Sequence, residues 1–169
     1  MGPVPLLWDR WQLAPGWRPR LQLEALLAAA APNTELMLDL KGRGAGLPRR
    51  VAEALVARPA RVTVCARNWA LLEPLREVPG IRLVHSVGSR RQLRALRRRF
   101  AGRRLAGVSI HRDLLDPATV ADLRRRAELV ITWPVSTVDE ANALGEWGVD
   151  GVITERFDSL LPALAGPAA

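Results

Sequence analysis

Short apolar runs recur along the chain at intervals of roughly 20 to 25 residues, with segments of helical periodicity between them, and this alternation limits the fold more than any other feature. The runs are Leu36 to Leu40, Val62 to Ala66, Ile81 to His85, Gly107 to His111, Leu129 to Trp133 and Gly151 to Thr154. They are rich in Val, Ile and Leu and lack a clean polar alternation, which predicts parallel strands covered on both faces. Apolar residues at three- and four-residue spacing predict helices over Leu21 to Ala31, Leu47 to Ala57, Trp69 to Arg76, Ser89 to Phe100, Ala118 to Arg126 and Thr137 to Trp147. Local chemistry marks the boundaries. Asp116-Pro117 supplies an N-cap and a first-turn proline, Thr137 and Glu140 have capping-box spacing, and Gly145 and Gly148 close the helix before the last strand.

Strand and helix in steady alternation imply right-handed crossovers and one parallel sheet. The expected fold class is therefore α/β: an incomplete, TIM-barrel-like arrangement of about six parallel strands with outer helices. Residues 1–169 read as a single partial-barrel domain, with 1–20 as an irregular N-terminal segment. Its 169 residues fall short of the roughly 250 typical of eight βα units. A helix ahead of the first strand also suggests a chain that enters such a pattern partway through. No run reaches the roughly 18 apolar residues of a membrane span, and no signal-peptide pattern opens the chain, so a cytoplasmic protein is expected. Cys65 is the single cysteine, which excludes an intrachain disulfide or a cysteine zinc site.

Reactive groups of parallel βα folds gather at the carboxyl ends of the strands. Those ends carry Asp39 and Lys41, Arg67 and Asn68, His85 and Ser86, His111 and Arg112, Trp133, and Thr154 and Glu155. Lys41 is the only lysine among 25 lysine and arginine residues, so a compact ammonium stands where the chain otherwise writes a planar fork. Asp39 and Lys41, two apart, point to the same side of a strand. That spacing suits either a hard oxygen ligand beside a phosphate-facing cation or a plain salt bridge across the strand mouth. A strand-end histidine can act as general acid or base, or sit as a satisfied polar residue at the rim. The net charge of +8 reads mostly as solvated helix faces. The basic stretch Arg90 to Arg104 and the Trp/Arg-rich beginning could meet nucleic acid or an anionic surface, but a solvated face is the expected reading and no nucleic-acid partner is assigned.

Leu36-Met37-Leu38-Asp39-Leu40-Lys41, Trp133-Pro134-Val135-Ser136 with Glu140-Ala141-Asn142, and Gly148-Val149-Asp150-Gly151-Val152-Ile153-Thr154-Glu155-Arg156 resemble the later motifs of the glycerophosphodiester phosphodiesterase family. That family has a TIM-type barrel, and the likeness runs from about Leu21 to Leu161. Val62 to Asn68 resembles the intervening strand that usually ends in Ser-Phe-Asn. The resemblance implies a metal-assisted hydrolase of lipid metabolism that cleaves a small-molecule glycerophosphodiester to glycerol 3-phosphate and an alcohol. It implies Asp39 as ligand of a divalent Ca or Mg ion in place of the family's Glu, Lys41 as the phosphate-facing cation, and Trp133 as the wall beside glycerol. Arg67 and His111 join them as strand-end residues placed for phosphate or substrate. Ser136 stands for Asn and Phe157 for Pro.

The family's acid/base histidines belong to an H-R motif and a later H-D motif, and an E-x-D supplies further metal carboxylates. No histidine precedes His85 and no E-x-D precedes Asp39. None of the family histidines is therefore matched, and the first two βα units of the pattern, on the order of 60 to 80 residues, lie ahead of the matched part. The expectation for this chain is weak or absent metal binding and weak or no turnover. The alternative is a catalytically inactive partial barrel that binds or self-associates, because six strands leave sheet edges that an eight-stranded barrel would close.

Overall fold

A computed structural model describes residues 23–31, 34–42, 46–57 and 62–164; the N-terminal segment 1–20 lies outside these. Six strands form one parallel sheet in chain order: β1 (Leu36–Leu40), β2 (Val62–Ala66), β3 (Ile81–Val87), β4 (Gly107–His111), β5 (Val130–Trp133) and β6 (Gly151–Val152). Around it run α1 (Leu23–Ala29), α2 (Gly46–Ala57), α3 (Arg90–Arg99), α4 (Pro117–Arg126), α5 (Val138–Glu146) and α6 (Phe157–Leu164). The sequence marks none of α6. Register is continuous across the middle of the sheet, with Leu40, Ala66, His85, Val108 and Val130 in one row.

The sheet has two unlike faces. Leu36, Leu38 and Leu40 of β1 and Val62 and Val64 of β2 pack outward against Leu26 of α1 and Val51 and Leu55 of α2. Val87, Val108, Ile110 and Val130 pack outward on Leu93, Leu96 and Phe100 beside α3 and Leu123 of α4. The inner face buries a smaller cluster, Cys65, Val84 and Ile131 with Leu129. Glycines make room for it: a Cβ on Gly107 would sit 2.7 Å from Val84 Cγ2, and one on Gly151 would sit 3.2 Å from Ile131 Cγ2.

Helix starts follow the sequence closely. Ser89, Asp116 and Thr137 cap α3, α4 and α5, each accepting from the backbone N–H three residues on. The Thr137 box is only half formed, because the Glu140 carboxylate accepts from the Ser136 N–H at 3.1 Å and pairs with Arg112. The helix expected over Trp69 to Arg76 is instead two 3₁₀ turns, Trp69–Leu71 and Glu73–Leu75. Pro74 is the cause: it lacks an N–H and blocks a continuous α-helical ladder. The sixth strand is shorter than expected. Beyond Val152 the chain leaves the ladder, although the Ile153 N–H still donates to the Thr132 carbonyl and Val135 donates back to Ile153. No described helix is long and apolar enough to cross a membrane.

Candidate functional site

Parallel strands bring all their carboxyl ends to one rim. The register that pairs Leu40 with Ala66 sets Lys41 beside Arg67, and the register of β4 with β5 sets His111 opposite Trp133. Lys41 Nζ lies 3.0 Å from Asp39 Oδ2, so the salt bridge allowed by their spacing is formed, with both side chains about half exposed. Behind them Cys65 hydrogen-bonds to Asp39; burial pushes its thiol well above the ordinary range, and the Asp39 charge pushes it further. It is a protonated core thiol.

Arg67 crosses the rim. Its guanidinium lies 4.9 Å from the centre of the Trp133 ring, although β2 and β5 are three strand positions apart, roughly 14 Å in a flat sheet. The sheet curls about its inner face, and the rim becomes the mouth of a trough. Trp133 in turn meets His111 edge-on, with ring centres 4.8 Å apart and an 87° interplanar angle. His111 Nδ1 accepts from the Asp113 N–H at 3.3 Å and lies 3.6 Å from the Asp113 carboxylate.

Two residues that the sequence does not single out hold Arg67 in place. The Gln92 side chain accepts from the Gly88 N–H at 2.8 Å and donates to the Arg67 carbonyl at 3.1 Å. The guanidinium runs over Gly88, where a Cβ would lie 3.3 Å from Arg67 Cζ. A glycine directly after a strand end is the sequence signal of such a close approach.

The strand-end residues His85, Arg112 and Glu155 fall outside the mouth. β3 continues to Val87, and His85 faces the helix layer between Trp69 and Phe100, with ring centres 5.7 and 4.6 Å away. Its buried Nδ1 has no hydrogen-bond partner among the described residues, and desolvation pushes its pKa down to about 4. Arg112 turns to Glu140. Glu155 is exposed beyond β6, and the described residues form no ion pair with it.

The donors among the described residues do not fit a divalent ion. Asp39 offers one carboxylate, already paired with Lys41, where Ca or Mg takes about six oxygens or more. Among the described residues no three His, Cys, Asp or Glu side chains gather as a metal site. What the rim does offer is two cations, one of them paired with Asp39, beside an indole face and an imidazole, a combination suited to a small anion with an apolar edge.

No family model matches the chain, and no curated protein does. Solved structures do. A glycerophosphodiester phosphodiesterase from Thermotoga maritima is similar with a TM-score of 0.68 at 14% identity, covering 83% of this chain and 62% of that one. One from Parabacteroides distasonis gives 0.65 at 18%, with 85% and 63% covered. An Oleispira antarctica phosphodiesterase, solved with the product sn-glycerol-3-phosphate, gives 0.61 at 20%, with 78% and 55% covered. At these identities the likeness establishes the TIM-barrel type of fold. The chain spans between 55% and 63% of the length of these three structures.

Proposed function

We propose that the rim formed by Lys41, Arg67, His111 and Trp133 is the substrate-binding side of a phosphodiesterase-type barrel whose ligand is a glycerophosphodiester. The observation that carries this reading is the contact of Arg67 with Trp133 across the mouth, continued by His111. A phosphate would sit between the Lys41 ammonium and the Arg67 fork. The glycerol carbons would lie along the indole face, which favours C–H and cationic groups over anions. The similarity of fold to glycerophosphodiester phosphodiesterases supports the same substrate class.

Hydrolysis to glycerol 3-phosphate and an alcohol needs one group to deprotonate the nucleophile and another to protonate the leaving alkoxide. The described rim supplies one imidazole, His111, while His85 is held in the outer wall. Binding is therefore expected to exceed turnover. Titration calorimetry with glycerophosphocholine, with and without added Ca or Mg, is the test. The expected result is saturable binding, weakened about tenfold by Lys41→Ala or Arg67→Ala. Rapid hydrolysis by the isolated chain would overturn the account of the rim, as would binding indifferent to both substitutions.

One observation favours association with a second copy as well. Among the described residues β1 and β6 each pair along one side only, and Met37 and Ile153 remain 37% and 38% exposed near those edges. Light scattering over a concentration series distinguishes a dimer from a monomer.

A further inference from the structure

At the opposite end of the strands lies a hollow of about 390 Å³ lined by Gly102, Arg103, Arg104, Arg125 and Arg126. Arg103 and Arg104 lead into β4, Arg125 and Arg126 lead toward β5, and Leu105 pairs with Ala127 in a parallel bridge between them. The bridge holds the two arginine pairs side by side. Among the described residues only one carboxylate answers them: Asp122 takes Arg126 at 2.9 Å and Arg125 at 3.3 Å, and also Arg97 at 2.8 Å. Burial opposes ionisation of Asp122, but the bonds from Arg126 and Arg97 outweigh it and hold its carboxyl below the ordinary range. Arg103 and Arg104 are exposed and have no ion pair among the described residues.

Arginines on a convex helix face diverge into solvent and need no ligand. These four line a single hollow with Gly102, two from the end of α4 and two from the segment that leads into β4. Asp122 offsets part of the charge of Arg125 and Arg126, whereas Arg103 and Arg104 bring forks that each match two oxygens of a tetrahedral oxyanion. We infer that this hollow is a second anion site, remote from the mouth, which takes a phosphate-bearing ligand. The inference does not depend on the reading of the mouth. The phosphate can belong to a soluble organophosphate or to a phospholipid headgroup.

Pyrophosphate is the soluble probe, titrated calorimetrically into the full chain at near-physiological ionic strength, with the mouth silenced by Lys41→Ala and Arg67→Ala. Saturable binding should survive that background and fall about tenfold when Arg103→Ala and Arg104→Ala are added. Arg103 and Arg104 are exposed and form no ion pair among the described residues, so their removal should leave the unfolding midpoint in place; should it not, the single variants Arg103→Gln and Arg104→Gln carry the same comparison. Sedimentation with vesicles of phosphatidylcholine mixed with phosphatidylglycerol separates the sources. Vesicle binding lost in the Arg103/Arg104 variants assigns the site to a headgroup, and pyrophosphate binding without vesicle binding assigns it to a soluble phosphate. The inference is overturned if neither probe binds, or if the arginine substitutions change neither.

Discussion

At the base of the sheet the Asp150 carboxylate accepts from the Val130 N–H at 2.7 Å and from Arg124 at 2.6 Å, and Arg124 also reaches the Gly148 carbonyl at 2.6 Å. At the rim Arg67 meets no carboxylate among the described residues, and its guanidinium is steadied by an indole ring and, through its carbonyl, by an amide side chain. The base spends its acid on a latch between α4, β5 and β6, whereas the rim leaves a fork available to an incoming anion. The difference bears on how the family-like motifs are read. Gly148-Val149-Asp150-Gly151, the most distinctive of them, belongs to the latch: Gly148 turns at φ +93° against Arg124, and Asp150 ties two strands. It reports the fold, and the chemistry has to be argued from Lys41, Arg67, His111 and Trp133.

Removing the latch should give the largest effect. Asp150→Ala strands the Val130 N–H and unpairs Arg124, and hydrogen bonds to a charged group of this kind are worth about 1.5–3 kcal/mol. A loss of about 3 kcal/mol in urea unfolding is expected, with Asp150→Asn recovering part of it. An Asp150→Ala chain as stable as the parent would abolish the contrast between latch and rim. The wall between the two ends is tested by pH. Burial, assisted by Arg99 and Arg76 and opposed by Glu73, holds His85 at about 4, so the folded chain keeps the ring neutral where the unfolded chain, near 6.5, takes up a proton. Stability should therefore fall as pH drops from about 6.5 toward 4, with a slope of up to about 1.4 kcal/mol per pH unit from this one group. His85→Leu should remove that component of the slope; an unchanged profile would show that His85 does not carry it.

Much of the plan was legible because a parallel sheet writes itself as short, largely apolar runs: β1, β2 and β4 occupy the residues expected of them. Strand ends are a partial guide to the rim: Lys41, Arg67, His111 and Trp133 stand there, whereas His85 faces the helix layer and Arg112 turns to Glu140. Facing is harder to read. Extending β3 by two residues to Val87 leaves His85 inside the strand, on the helix side, and continuous apolar runs give no alternation to reveal it. The contact of Arg67 with Trp133 depends on how far the sheet curls, a property of all six strands together, and no local spacing encodes it.

Rim variants should sharpen the comparison in the other direction, costing affinity and leaving stability alone. Trp133→Ala removes the ring against which Arg67 rests, and about a tenfold loss in glycerophosphocholine affinity is expected. Because the side chain is only partly buried, the loss of stability should be smaller than at Asp150. A large drop in unfolding free energy would move Trp133 from the site to the core.

Gln92 should give the smallest effect and is the finest test of whether the rim is organised. It touches no ligand in the proposed arrangement; it acts by joining the Gly88 amide to the Arg67 carbonyl, which makes it a positioning residue. Gln92→Ala leaves the Ser89 cap of α3 intact and should weaken glycerophosphocholine binding about threefold, under 1 kcal/mol. Gln92→Glu keeps the acceptor for Gly88 but loses the donor to Arg67, so it separates the two bonds. If the bond to Arg67 is what matters, Glu should bind as weakly as Ala. In an Arg67→Ala background neither substitution should change affinity further, because the side chain being positioned is gone. Equal losses with and without Arg67 would mean that Gln92 merely stabilises the loop, and that the rim holds its arginine without help from the helix behind it.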